Sequence, residues 1–351
     1  MRPLLTRDSH LTPISRTRRL TRLGLGLVVL MLAHPVAFGQ EVAGEARPRS
    51  SGRIFLQARA RDDPLQGLIA VDANAGTWSK VLDVPFTFGR VSPDGKRVAT
   101  STFIEGKPKT QVHELEGDKE PATLLDQLSI PCWSSDSREL LIAVFTNPAE
   151  GAEPEIWRVS AEGSKKARLT IPDVQAVQDW SPDGQWLLVS SSRGRTENGN
   201  LNLLNPQRLP IDLVRLDGTG ERRLLSGDAV KREGVVKVLV SPHFSPDGRS
   251  LLCIEIESIV GAQVQATGEL IVMDLDGNNR RSLRRADRPH GLPVSACWSP
   301  DGKSVAVAIA KGEIEDAQSL LEIIDRDGKN ARSINLPEGQ ARPARQLIDW
   351  R

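Results

Sequence analysis

Five segments of the chain repeat one pattern: VSPDGKRVAT (91–100), WSSDSRELLIA (133–143), WSPDGQWLLVS (180–190), FSPDGRSLLC (244–253) and WSPDGKSVAVA (298–308). Their aspartates, Asp94, Asp136, Asp183, Asp247 and Asp301, stand 42, 47, 64 and 54 residues apart. Such periods match one four-stranded propeller blade per repeat, not a helical repeat. The unit around residues 174–227 spells out four strands. VQAVQDW (174–180) alternates into a Trp, and SPDG then turns the chain into QWLLVSS (185–191). DLVRLDG (212–218) and ERRLLSG (221–227) follow. Pro-Asp-Gly is turn chemistry: Pro presets φ, Asp bonds the local backbone and Gly takes positive φ without strain. LDG, MDLDG (273–277) and IDRDG (324–328) mark the second tight turn of each unit.

The two ends of the chain read as halves of one further unit. QLIDW (346–350) aligns with AVQDW (176–180) and stops at Trp350, giving a first strand alone. SSGRIFLQA (50–58) aligns with PDGRSLLCI (246–254) from the turn onward, and GLIAVDANAG (67–76) and WSKVLDV (78–84) add two more strands. The expected architecture is therefore all-β: a six-bladed β-propeller of four-stranded blades, residues 50–351, whose composite blade joins 50–84 to 346–351. Closing the ring in this way removes the unpaired edges that the first and last sheets would otherwise present.

These repeats and their clasp resemble the WD40-like propeller repeats of the TolB family, periplasmic partners of the peptidoglycan-associated lipoprotein. The resemblance covers about residues 50–351. It implies a propeller and points to protein binding in the cell envelope. TolB carries an α/β domain before its propeller, where this sequence has about a dozen residues, so no functional residue is carried over.

Ahead of the propeller, residues 1–22 hold six arginines against the single Asp8, and LGLGLVVLMLA (23–33) is uninterruptedly apolar. This is the layout of a secretory signal peptide over 1–39, cleaved before Gln40, with 40–49 a short linker. The apolar run falls short of the roughly 20 residues needed to span a bilayer, although a retained anchor is the alternative. The expected location is the periplasm or the exterior. Without the leader the chain has 40 basic and 44 acidic residues, which gives no net positive surface for nucleic acid. No later segment is apolar enough for stable membrane insertion.

The residue types that carry chemistry have structural readings here. The five repeated aspartates are turn residues. Trp133, Trp180, Phe244, Trp298 and Trp350 recur at one position and read as wedges between blades. DLDGNN (274–279) and DRDGKN (325–330) lack the full ligand set of a calcium loop and read as hairpin turns. Cys132 and Cys297 each precede a repeat Trp and, like Cys253, read as small apolar core residues. They fall on opposite blades, too far apart for a disulfide. His113, His243 and His290 show no metal-ligand spacing, and no G-x-S-x-G elbow is present. No metal, no cofactor and no catalytic residue is expected.

Binding is expected on the face that carries the longer connections, 192–210, 227–236, 257–269 and 310–318, since recognition loops sit on rigid scaffolds. Arg193, Arg195, Arg208, Arg232, Arg288 and His290 are the candidate binding residues there, with arginine suited to carboxylates. The expected function is an exported scaffold for a protein partner in the envelope. The alternatives are a channel-site enzyme such as a carbohydrate lyase or hydrolase, with His243 and His290 as ligands, and a sensor of small anions.

Overall fold

The computed structural model describes residues 52–58, 66–144, 154–191, 211–217, 219–220, 222–225, 235–259, 265–287, 289–312, 318–334 and 345–351. They form 24 strands, β1 to β24 in chain order, and among the described residues no helix. The strands make six four-stranded antiparallel sheets. Five are runs of consecutive strands, and the sixth has the order β24-β1-β2-β3, with β24 at Arg345–Trp350, β1 at Arg53–Ala58, β2 at Gly67–Asp72 and β3 at Trp78–Leu82. The chain is a six-bladed β-propeller. Ile54 pairs with Trp350 and Phe55 with Asp349, and Arg53 and Arg351 exchange both backbone hydrogen bonds, at 2.6 and 2.9 Å.

The innermost strands of the other five blades are β4 (Phe88–Val91), β8 (Ser129–Trp133), β12 (Val174–Trp180), β16 (Val235–Phe244) and β20 (Leu292–Trp298). Each ends on an apolar residue, large in all but β4, that enters the core between its own blade and its neighbour. Trp350, with no exposed surface, packs among Ile54, Leu56 and Ile69 of its own blade and Cys297, Ala306 and Leu321 of the preceding one. Trp133, Trp180, Phe244 and Trp298 sit in the same way at four further junctions, and Val91 takes this place at the sixth. Burying a side chain of this size is worth roughly 2–3 kcal/mol.

The turn after each of these residues is locked by its own side chains. Ser92 Oγ donates to Asp94 Oδ1 and accepts the Arg97 N–H; Ser134, Ser181, Ser245 and Ser299 do the same with Asp136, Asp183, Asp247 and Asp301. The fourth position needs φ near +70°, which Gly95, Gly184, Gly248 and Gly302 provide. In the third blade Ser137 stands there, at φ 62°. Its buried Oγ accepts the Asp94 N–H of the neighbouring blade at 3.0 Å, which offsets the left-handed strain. Ser137→Ala is expected to lose about 1 kcal/mol in chemical denaturation. Ser137→Gly, which sheds strain along with the bond, is expected to stay within about 0.5 kcal/mol of wild type.

One connection differs from expectation. Residues 257–259 and 265–269 belong to the long strands β17 (Ser250–Ile259) and β18 (Gln265–Asp274), in register from Ser250 opposite Asp274 to Ile259 opposite Gln265. Gly268 gave this stretch the look of a loop. It is glycine within a strand because a Cβ there would lie 2.8 Å from Leu292 Cδ1 and 3.0 Å from Pro293. Strand also extends into two other expected loops, at residues 235–236 and at 310–311 and 318.

Candidate functional site

The residue before each blade's junction residue faces the axis. Going round the ring these are Asp349, Arg90, Cys132, Asp179, His243 and Cys297, one from each blade, and all six line a cavity of about 260 Å³. Arg351 and Gln178 join them, and Pro93, Ser135, Pro182, Pro246 and Pro300 of the repeat turns form its rim. The cavity thus lies at the turn end of the channel, opposite the loop-bearing face on which the sequence placed recognition.

Three of the six slots are re-aimed by a break in strand register. The pairing of β12 with β13 (Trp186–Ser191) skips Gln178 just before Asp179, that of β16 with β17 skips Ser241 and Pro242 just before His243, and that of β24 with β1 skips Ile348 just before Asp349. Bulges of this kind turn side chains toward functional positions. Here they precede the two carboxylates and the imidazole of the ring.

Asp179 is the hub of the polar groups. Its Oδ1 accepts the Trp180 N–H at 2.9 Å, and its Oδ2 accepts the Phe244 N–H at 2.8 Å and lies 3.6 Å from His243 Nδ1. It therefore ties the fourth blade to the fifth. Burial alone would raise its pKa, yet His243, the Phe244 N–H and Arg90 together hold it below the ordinary carboxylate value. Arg90 extends from the second blade to donate to the Gln178 carbonyl of the fourth at 3.2 Å, and the Trp133 indole N–H donates to the Arg90 carbonyl at 2.9 Å. On the other side, Asp349 Oδ1 lies 2.7 Å from Arg351 Nη2. Burial outweighs the nearby cations there, and the Asp349 pKa is raised.

Cys132 and Cys297 are buried but also form part of the cavity wall. Burial first, and then Asp179 for Cys132 and Asp349 for Cys297, push both thiols well above the ordinary value. They stay protonated, which makes them poor nucleophiles and poor metal ligands. Cys253 is a core residue pushed up to about 12 by burial. Among the described residues no group of three His, Cys, Asp or Glu side chains is placed to hold a metal ion. The cavity is thus equipped to bind with charge and hydrogen bonds.

Of the expected binding residues, Arg193, Arg195, Arg208, Arg232 and Arg288 lie outside the described residues. His290 is exposed, with its ring Nδ1 2.5 Å from Asp287 Oδ1, and it does not line the cavity that contains His243. The ring itself was missed by the sequence reading. Its signal is the position before each blade's junction residue, singled out in the sequence only where it holds cysteine.

No family model matches the chain. Among curated proteins, an uncharacterized peptidase of Bacillus subtilis is 30% identical over 194 residues, which are 48% of this chain but 29% of that protein. An uncharacterized protein of Agrobacterium fabrum is 24% identical over 222 residues, 62% of this chain and 67% of that one. Among solved structures, TolB from Acinetobacter baumannii superposes with a TM-score of 0.60 at 20% identity, covering 86% of this chain and 68% of that one. A TolB-designated protein from Agrobacterium tumefaciens gives 0.53 at 17% identity, covering 85% and 92%. At these identities the likeness is one of fold, and the fold is that of a TolB-like propeller.

Proposed function

We propose that the chain is an exported propeller scaffold that binds a protein partner in the cell envelope and carries out no reaction itself. The observation that carries this reading is the state of the axial groups. Asp179 is engaged by two backbone N–H groups and His243, Arg90 spans two blades, and both cavity thiols are held protonated. Groups committed to holding blades together are not poised to attack a substrate. The basic leader and apolar run support export, and the TolB-like fold supports an envelope role by analogy. The B. subtilis relative is named a peptidase, but the match spans 29% of it.

Affinity capture of the tagged chain from envelope extract tests the proposal, with a variant shortened in 192–210 and 226–234 as the comparison. Stoichiometric recovery of one protein by the wild type, lost in a variant of unchanged melting temperature, is the expected result. Recovery of nothing by either form, together with turnover of peptide or glycan substrates, would replace the scaffold with the enzyme.

A further inference from the structure

The axial cavity carries donors that its own acceptors do not use. Both oxygens of Asp179 are taken, and Asp349 faces Arg351, whose Nε is buried without a hydrogen-bond partner. His243 meets Asp179 through Nδ1, 3.6 Å away, and its ring lines the cavity. Arg90 adds a second guanidinium charge to the same wall. Two guanidinium groups thus confront two carboxylates, and Asp349, the one disfavoured as an anion, lies 2.7 Å from Arg351. A buried donor with no acceptor costs roughly 1–3 kcal/mol, and a ligand that brings an acceptor recovers that cost.

Size and shape narrow the ligand further. The space measures about 260 Å³. That is below the roughly 300–1,000 Å³ of sites for drug-sized molecules. Going round the ring, Cys297 on the sixth blade comes between His243 on the fifth and Arg351 on the first, and all three line the cavity. A planar monoanion matches a guanidinium fork, whereas a dianion would meet Asp349 and Asp179 at close quarters. The register breaks before Asp179, His243 and Asp349 aim these side chains at one space, as expected of a built site.

We propose that the axial cavity binds a small monocarboxylate, its anionic group seated against Arg351 and His243 beside Cys297. This binding goes beyond the scaffold reading and does not rest on it: partner capture and small-ligand titration can fail separately. A free carboxylate and the C-terminus of a peptide share this chemistry, and the commitment here is to the free small molecule.

The test is calorimetric titration of the purified chain with acetate, lactate and succinate at constant ionic strength. Acetamide and chloride are the controls, and trialanine with a free or an amidated C-terminus is a further arm. Saturable binding of acetate or lactate is expected, with acetamide and chloride silent and succinate weaker. Arg351→Gln and His243→Gln are each expected to weaken lactate at least tenfold, while Lys303→Gln, whose ammonium lies 3.8 Å from Asp301 on an exposed turn, leaves it unchanged. Should either variant fail to fold, ¹³C-histidine spectra of the wild type give the same answer: the His243 ring signal moves on titration, and those of His113 and His290 stay. No saturable binding, equal response to acetamide, a static His243 signal, or binding of trialanine alone would each overturn the proposal.

Discussion

Trp350→Ala is expected to destabilise the propeller by about 3–5 kcal/mol, and deletion of residues 345–351 to abolish its cooperative unfolding. Trp350 has no exposed surface and fills the junction between the sixth blade and the first. A fold of this size has in total about 5–15 kcal/mol to lose. The deletion goes further, because it also removes the strand that covers the edge of β1 and leaves Ile54, Phe55 and Leu56 without their partners. Trp298→Ala is the useful comparison: it empties a junction of similar size between two blades that follow one another in the chain, with the ring still closed. Urea unfolding followed by circular dichroism should give the Trp298 variant a lowered midpoint with an unchanged slope. The deletion should give a broad transition of reduced slope. A truncated chain that unfolds at the wild-type midpoint and slope would refute the role given to β24.

The two ring carboxylates should respond to neutralisation with opposite signs. Asp179→Asn is expected to destabilise by about 2–4 kcal/mol near pH 7, because it leaves the Phe244 N–H and His243 facing an amide. Asp349→Asn is expected to be neutral or mildly stabilising, since the folded state disfavours that charge. The pH dependence follows from linkage. The Asp179 pKa is lowered on folding, so its contribution is complete above the unfolded value of about 3.9 and fades as pH falls through the lower folded value. The Asp349 pKa is raised, so its charge costs stability above the folded value, and that cost vanishes below about 3.9. Denaturation curves at pH 7 and at pH 3 should therefore show both variants converging on wild type in acid, from opposite sides. The same sign for both at pH 7 would contradict the assignment of their environments.

The blades were legible in the sequence because their signals are local. The Ser-x-Asp-Gly turn closes through hydrogen bonds that span five residues, so its chemistry has to be spelled out in each repeat. The shared blade was legible too, since Gln346–Trp350 and Arg53–Ala58 keep the apolar spacing of a first and second strand although they lie at opposite ends of the chain. The axial ring was not. Its six members are Arg, Cys, Asp, His, Cys and Asp, so residue type carries no repeat, and only closure of the circle brings them together. The turn of strand register that points Asp179, His243 and Asp349 inward likewise depends on pairing with the next strand. The long hairpin of the fifth blade was misread for a third reason: Gly268 and the polar residues beside it resemble a loop until the contact with Leu292 and Pro293 is seen.

The shared first blade also sets the order of events during synthesis. Ile54 finds its partner in Trp350, roughly 300 residues later, and a pairing over so long a separation is slow to form because a very large loop must close first. Five blades can assemble as they emerge, each on its predecessor, while β1 keeps an open edge until β24 has been made. Every earlier state is an arc with sticky ends, prone to pair with another arc. Ring closure is therefore timed by β24, however early the other blades form.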